Sequence, residues 1–246
     1  MKIPSLLVLA GAALFLAGLA QAETLDDSNR AFAAGHYHDS TTGYQAVLAQ
    51  NGYSAPVLFD LGNSYYREGN YAQAILAYQR AQWLAPGDPD IAANLQLAQQ
   101  QAGLAVTEPR WSEKIAQVLS ASDLAWIASG AWIVFCASLL LRVVLPQRRS
   151  LFSLTGTASA LLLLGTIAVM VLQSNQLNRA VVTDKNASLL ISPFPAAQTV
   201  FSPPLGETVD VQKAYDDFLL VKDSAGRTGW ISKTQITPII PAHSNG

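Results

Sequence analysis

Cysteine is almost missing from this 246-residue chain: Cys136 stands alone inside a long apolar run. That excludes a disulfide framework, a paired redox motif and thiolate ligation of zinc. Cys136 reads as a small apolar side chain. Histidine is scarce too, at positions 36, 38 and 243, and none stands in a zinc-protease, zinc-finger or nucleophile-elbow context. His36 and His38 alternate beside Asp39, a spacing able to reach a metal from an extended segment, but they fall at an expected turn. A phosphate loop and a Ser-x-x-Lys motif are both missing. The acidic pairs Asp88/Asp90 and Asp216/Asp217 have the look of turn and helix-start residues. Charge is sparse, at 13% of residues with a net −2, so no basic field favours nucleic acid. The expectation is a protein that is not an enzyme, with no cofactor and no catalytic or metal site.

Apolar residues are what the chain has in plenty. They make up 50% of it, with a mean hydropathy of +0.24, which is too apolar for an ordinary soluble chain of this size. Residues 1–22 read as a secretory signal: Lys2, an apolar stretch from Leu6 to Leu19, and Ala20-Gln21-Ala22 as a small-residue cleavage site. An uncleaved anchor is the competing reading, but its core is short against the roughly 20 residues a spanning helix needs. Two uncharged runs follow much later. They predict transmembrane helices over 123–145 and 151–173, joined by a loop at 146–150. Arg142, Arg148 and Arg149 cluster at that loop and mark it as cytoplasmic. The hairpin would then dip inward from a bacterial cytoplasmic (inner) membrane, leaving both flanking regions in the periplasm. Trp126 is expected near the outer interface, Trp132 against the second span, and Gly156 and Ala160 at a close helix contact.

The outward N-terminal region, 23–105, repeats itself. Gly35-His36-Tyr37 and Gly69-Asn70-Tyr71 are offset by 34 residues, as are Tyr44 and Tyr78, which is the tetratricopeptide (TPR) period. Residues 55–88 carry the pattern in full: Leu58, Leu61-Gly62 and Tyr65 on one helix, Ala74, Tyr78 and Ala81 on the next, and Pro86 at the exit. The preceding repeat is degenerate, and the stretch from Pro89 supplies a first helix only. So short an array should lean on the membrane, the other outward domain or a partner, because stacked repeats need about three units. Trp111, Ile115, Val118 and Leu119 predict an amphipathic helix within 106–122, at the membrane or continuing the solenoid. In TPR proteins ligands lie along the first helices of the repeats, which points to Phe59, Asn63, Tyr66 and Arg67 as a partner-binding groove. An exposed polar helix face explains the same residues.

After a linker at 174–180, residues 181–238 change to short apolar runs between turn residues, the rhythm of a small all-β barrel of about five strands; 239–246 form a tail. Asp223 to Ile231, with its Gly229-Trp230 pair, resembles the distal hairpin of bacterial SH3-like domains, with departures at Leu190 and Phe218. That resemblance places Trp230 in the core and makes cell-wall peptide a possible ligand.

The fold class expected is therefore multidomain: an α-helical TPR solenoid, a two-helix transmembrane hairpin and a small SH3-like barrel. In that order the parts resemble the E component of the Bat (aerotolerance) operon family. The resemblance implies a scaffold that assembles with Bat-family membrane proteins carrying von Willebrand A domains, alongside a MoxR-type ATPase. An envelope sensor acting through the SH3-like domain is the alternative.

Overall fold

The computed structural model describes residues 25–106, 121–174 and 178–240. The signal peptide, Trp111 to Leu119 and residues 241–246 lie outside them.

Five helices open the described chain: α1 over 25–33, then α2 (Tyr37–Asn51), α3 (Ala55–Arg67), α4 (Tyr71–Leu84) and α5 (Pro89–Gln101). Local signals place several of their ends. Pro56 sits in the first turn of α3, where its missing N–H is no loss. The Asp88 carboxylate caps α5 by accepting from Asp90 N and Ile91 N, which satisfies orphan donors of the first turn. Gly35, Gly69 and Gly103 have φ of +82°, +78° and +73°, the left-handed conformation that glycine adopts without a Cβ clash. At each the same pair of bonds closes the helix. Asn70 N donates to Tyr65 O and Gly69 N to Tyr66 O, and the pairs around Gly35 and Gly103 repeat them. The three glycines are spaced by the repeat period, so α5 is in phase as the first helix of a third repeat.

Packing follows the same period. Ser40 Oγ lies 2.8 Å from Ser64 Oγ, both fully buried. Thirty-four residues on, Ala74 and Ala98 take the equivalent places, also fully buried. Gly62 is needed because a Cβ there would fall 2.5 Å from the Tyr78 ring. One cluster is built on Tyr44, Leu48, Leu58 and Ala81. A second joins Ile75, Tyr78, Leu95 and Ala98 to Val181 and Ile239 of the C-terminal region.

That region is an antiparallel sheet of seven strands: β1 (Arg179–Val182), β2 (Leu189–Leu190), β3 (Thr199–Phe201), β4 (Thr208–Tyr215), β5 (Phe218–Lys222), β6 (Thr228–Ser232) and β7 (Ile236–Pro238). Their order is β3-β2-β6-β5-β4-β1-β7. The expected closed barrel of about five strands is thus corrected to an open sheet with β3 and β7 at its edges. The physical reason lies at those edges: β3 runs into Pro203-Pro204, β7 holds Pro238, which has no N–H to pair, and β7 lies against α4 instead. Val182, Leu189, Val209, Val221 and Ile231 fill the sheet's own core. Val181, on the other face of β1, goes to the helices. Trp230 is a second correction. It alternates with the buried Gly229 and Ile231, so it lies on the opposite face, half-exposed, with its ring 6.2 Å edge-on from Tyr215.

Between helices and sheet stand α6 (Ala121–Val144) and α7 (Arg149–Ser174), joined by a 3₁₀ turn at Pro146–Arg148. Both are long and apolar enough to cross a membrane, and most of their surface is uncovered. Leu124, Ala131 and Ser138 of α6 are buried, as are Gly156, Ser159 and Thr166 of α7. These are mostly small residues, which let two helices approach closely. The buried hydroxyls bond backbone carbonyls of their own helices, as Ser138 Oγ does to Phe135 O at 2.7 Å. A Cβ at Gly156 would meet Ser138 Oγ at 2.8 Å. Trp132 does not face α7 as expected: it is 58% exposed, pointing outward near Phe135.

Candidate functional site

The four proposed groove residues share one face of α3, since positions 59, 63, 66 and 67 recur at helical spacing. Their environments differ. Phe59 is half-buried, in both hydrophobic clusters, with its ring 5.9 Å from that of Tyr78. Asn63 Oδ1 accepts from Tyr78 Oη at 2.8 Å and from Asn94 Nδ2 of α5 at 2.9 Å. Tyr66 is half-buried beside Tyr71, ring centroids 5.5 Å apart. Arg67 is exposed, with its guanidinium 4.8 Å from the centre of the Tyr37 ring. Phe59, Asn63 and Tyr66 are therefore tied into the stack, Tyr66 at the edge of the second cluster, whereas Arg67 adds an exposed cationic group at its end. His36 and His38 are exposed. His38 Nδ1 lies 3.9 Å from Glu68 Oε1, and that carboxylate also accepts from Thr41 Oγ1 at 2.7 Å.

Burial shapes the electrostatics of the array. It pushes the Tyr44 phenol up to about 12, helped by the nearby Asp60. It also raises Tyr78 and, against a hydrogen bond from Asn63, the Asp60 carboxyl.

A face that sequence reasoning did not single out is the one α4 and α5 turn to the sheet. Arg80 Nε donates to Ile239 O and Arg80 Nη2 to Pro238 O, both at 2.9 Å. Gln79 Nε2 donates to Thr208 Oγ1 at 2.7 Å. Gly206, φ +88°, passes so close that a Cβ would sit 3.0 Å from Ile75 Cδ1. With Val181 and Ile239 each buried, and full burial of an aliphatic side chain contributing about 1.5–3 kcal/mol, this contact is substantial. By the repeat period, α4 and α5 are the helices against which a further helix would pack; the sheet covers them instead. A sequence signal was present in α4, where the run Ala74-Ile75-Leu76-Ala77-Tyr78 is apolar without a break and so spans more than one helix face; all five are buried.

Fold and surface thus describe a short helical repeat array buttressed by a β-sheet and connected to it through two long apolar helices. Residues 55–88 match the tetratricopeptide repeat family, a repeat that suggests protein–protein interaction. No curated protein and no solved structure matches the chain.

Proposed function

We propose that the chain is a non-enzymatic scaffold of the bacterial inner membrane, binding partner proteins through a periplasmic TPR module in a Bat-type envelope complex. The observation that carries this reading is the tetratricopeptide match at residues 55–88, on an array whose Arg67 is exposed beside a half-buried Tyr66. The docking of the sheet on α4 supports the topology. Two regions in contact must lie on one side of any membrane, and a two-span hairpin returns the chain to the side it left. Arg142, Arg148 and Arg149 at the α6–α7 turn support a cytoplasmic loop.

The partners in this reading are Bat-family membrane proteins with von Willebrand A domains. Crosslinking the full chain in membranes and identifying what co-purifies tests it: recovery of such proteins is the expected result, and recovery of peptidoglycan fragments alone would overturn it. The outward Trp230, half-exposed beside Tyr215, favours one alternative, a cell-wall peptide sensor acting through the sheet.

A further inference from the structure

The side of the array away from the α3 groove holds a cavity of about 340 Å³ between α2, α3, α4 and β7. That volume is at the lower end of the roughly 300–1,000 Å³ of small-ligand sites. Leu48, Leu61 and Leu76 supply apolar wall, and Tyr53, Tyr65 and Arg80 polar groups.

Arg80 is the singular residue. Its Nε and Nη2 are held by the carbonyls of Ile239 and Pro238, which fixes the guanidinium plane and leaves Nη1 without a partner among the described residues. The Tyr53 ring lies 5.2 Å from its Cζ. Among the described residues no carboxylate pairs with it, and burial draws its pKa down, opposed only by the Tyr53 and Tyr65 phenols. A partly buried cation without a counter-charge is costly, and a guanidinium offers a planar fork to a two-oxygen anion. Tyr65 adds a second donor: its Oη accepts from Gln45 Nε2 at 2.5 Å, which leaves its own proton to give. Among the described residues Arg80 is the one charged side chain lining the cavity, which suits a monoanion rather than a phosphate.

We propose that this cavity binds a carboxylate joined to an apolar group about the size of one side chain. The carboxylate bonds Arg80 Nη1 and the Tyr65 hydroxyl, and the apolar group lies against Leu48, Leu61 and Leu76. The ligand is a free small acid or the C-terminal residue of a peptide. The assignment goes beyond the scaffold reading and stands without it.

Titration calorimetry on the full chain in detergent tests it with three probes: N-acetyl-leucine, its neutral amide, and an N-acetylated hexapeptide with uncharged side chains, ending in leucine with a free carboxylate. The acid is expected to bind saturably and the amide at least about tenfold more weakly, the scale of one charge-assisted bond. Arg80→Gln should show the same loss, but it also cuts the ties to β7. Ala49→Trp, which fills the cavity from an exposed position on α2 and leaves Arg80 itself unsubstituted, should abolish binding with helical content unchanged. A peptide tighter than the acid assigns the site to a chain terminus, and equal affinities assign it to free acids. Equal binding of acid and amide, no binding of any probe at millimolar concentration, or undiminished binding to folded Ala49→Trp would each overturn the proposal.

Discussion

The Tyr78 hydroxyl donates to Asn63 Oδ1 across 2.8 Å, and one repeat earlier Tyr44 does the same to Asn29 at 2.7 Å. The repeat is thus a repeated hydrogen bond as well as a repeated packing pattern, each joining the two helices of one hairpin. Asn63 carries more than Asn29, since Asn94 of α5 also donates to it. Tyr78→Phe should therefore cost about 1 kcal/mol, an ordinary net hydrogen bond, while Asn63→Ala, which strands two donors, should cost about 1–3 kcal/mol. Denaturant unfolding of the full chain in detergent, followed by circular dichroism, measures both. A loss in the double variant equal to the sum of the two singles would show that the residues are not coupled.

Alkaline pH should loosen the array. Burial holds Tyr44 at about 12 in the folded chain, above the ordinary value of about 10 that it regains on unfolding. A raised pKa means that the fold favours the neutral phenol. The resulting stability is complete below pH 10 and is lost as pH rises from 10 through 12. Tyr78, raised in the same direction, adds to the slope. The thermal midpoint should fall across that window, and Tyr44→Phe should flatten the fall while lowering the midpoint at neutral pH. An unchanged slope in that variant would contradict the assignment.

Gly206 tests the buttress. Its φ of +88° and its approach to Ile75 leave no room for a side chain without strain, so Gly206→Ala should weaken docking by about 1–2 kcal/mol, the left-handed penalty alone. Hydrogen exchange should quicken in β1, β7 and α4 and remain unchanged at the α2–α3 contact. Uniform quickening over all helices would mean that the array has no stability of its own beneath the docked sheet.

Membrane topology is open to thiol labelling in a Cys136→Ala background. A cysteine at Ala225, in the exposed β5–β6 turn, should react with an impermeant reagent from the periplasmic side. One at Gln147, in the turn between α6 and α7, should react only after the membrane is opened. The reverse pattern would invert the proposed orientation.

Much of the array was legible because its spacing rules are local. Leu58, Leu61 and Gly62 announce one helix, Ala74, Tyr78 and Ala81 the next, and Pro86 the exit. Gly103 lay in the same register as Gly35 and Gly69 and was the overlooked sign that α5 ends as a repeat helix does. The sheet was harder. A Gly-Trp strand and alternating runs give strands, but whether edges meet depends on partners far away in sequence. Trp230 was misplaced for a related reason. Alternation along β6 puts Ile231 and Trp230 on opposite faces, and only the sheet's packing tells which face is the core. The Arg80 contacts span 158 and 159 residues, beyond the reach of any local pattern. The groove residues were legible as one helix face, but their division between stacked and exposed side chains was not, because Asn94 comes from another helix.

The most direct measurement is site-specific photocrosslinking in intact membranes, with a photoreactive side chain placed in turn at Tyr66, Arg67 and Trp230. The scaffold account predicts that positions 66 and 67 yield adducts with membrane proteins carrying von Willebrand A domains and that position 230 does not. Adducts confined to position 230, with cell-wall fragments attached, would contradict it and move recognition to the sheet.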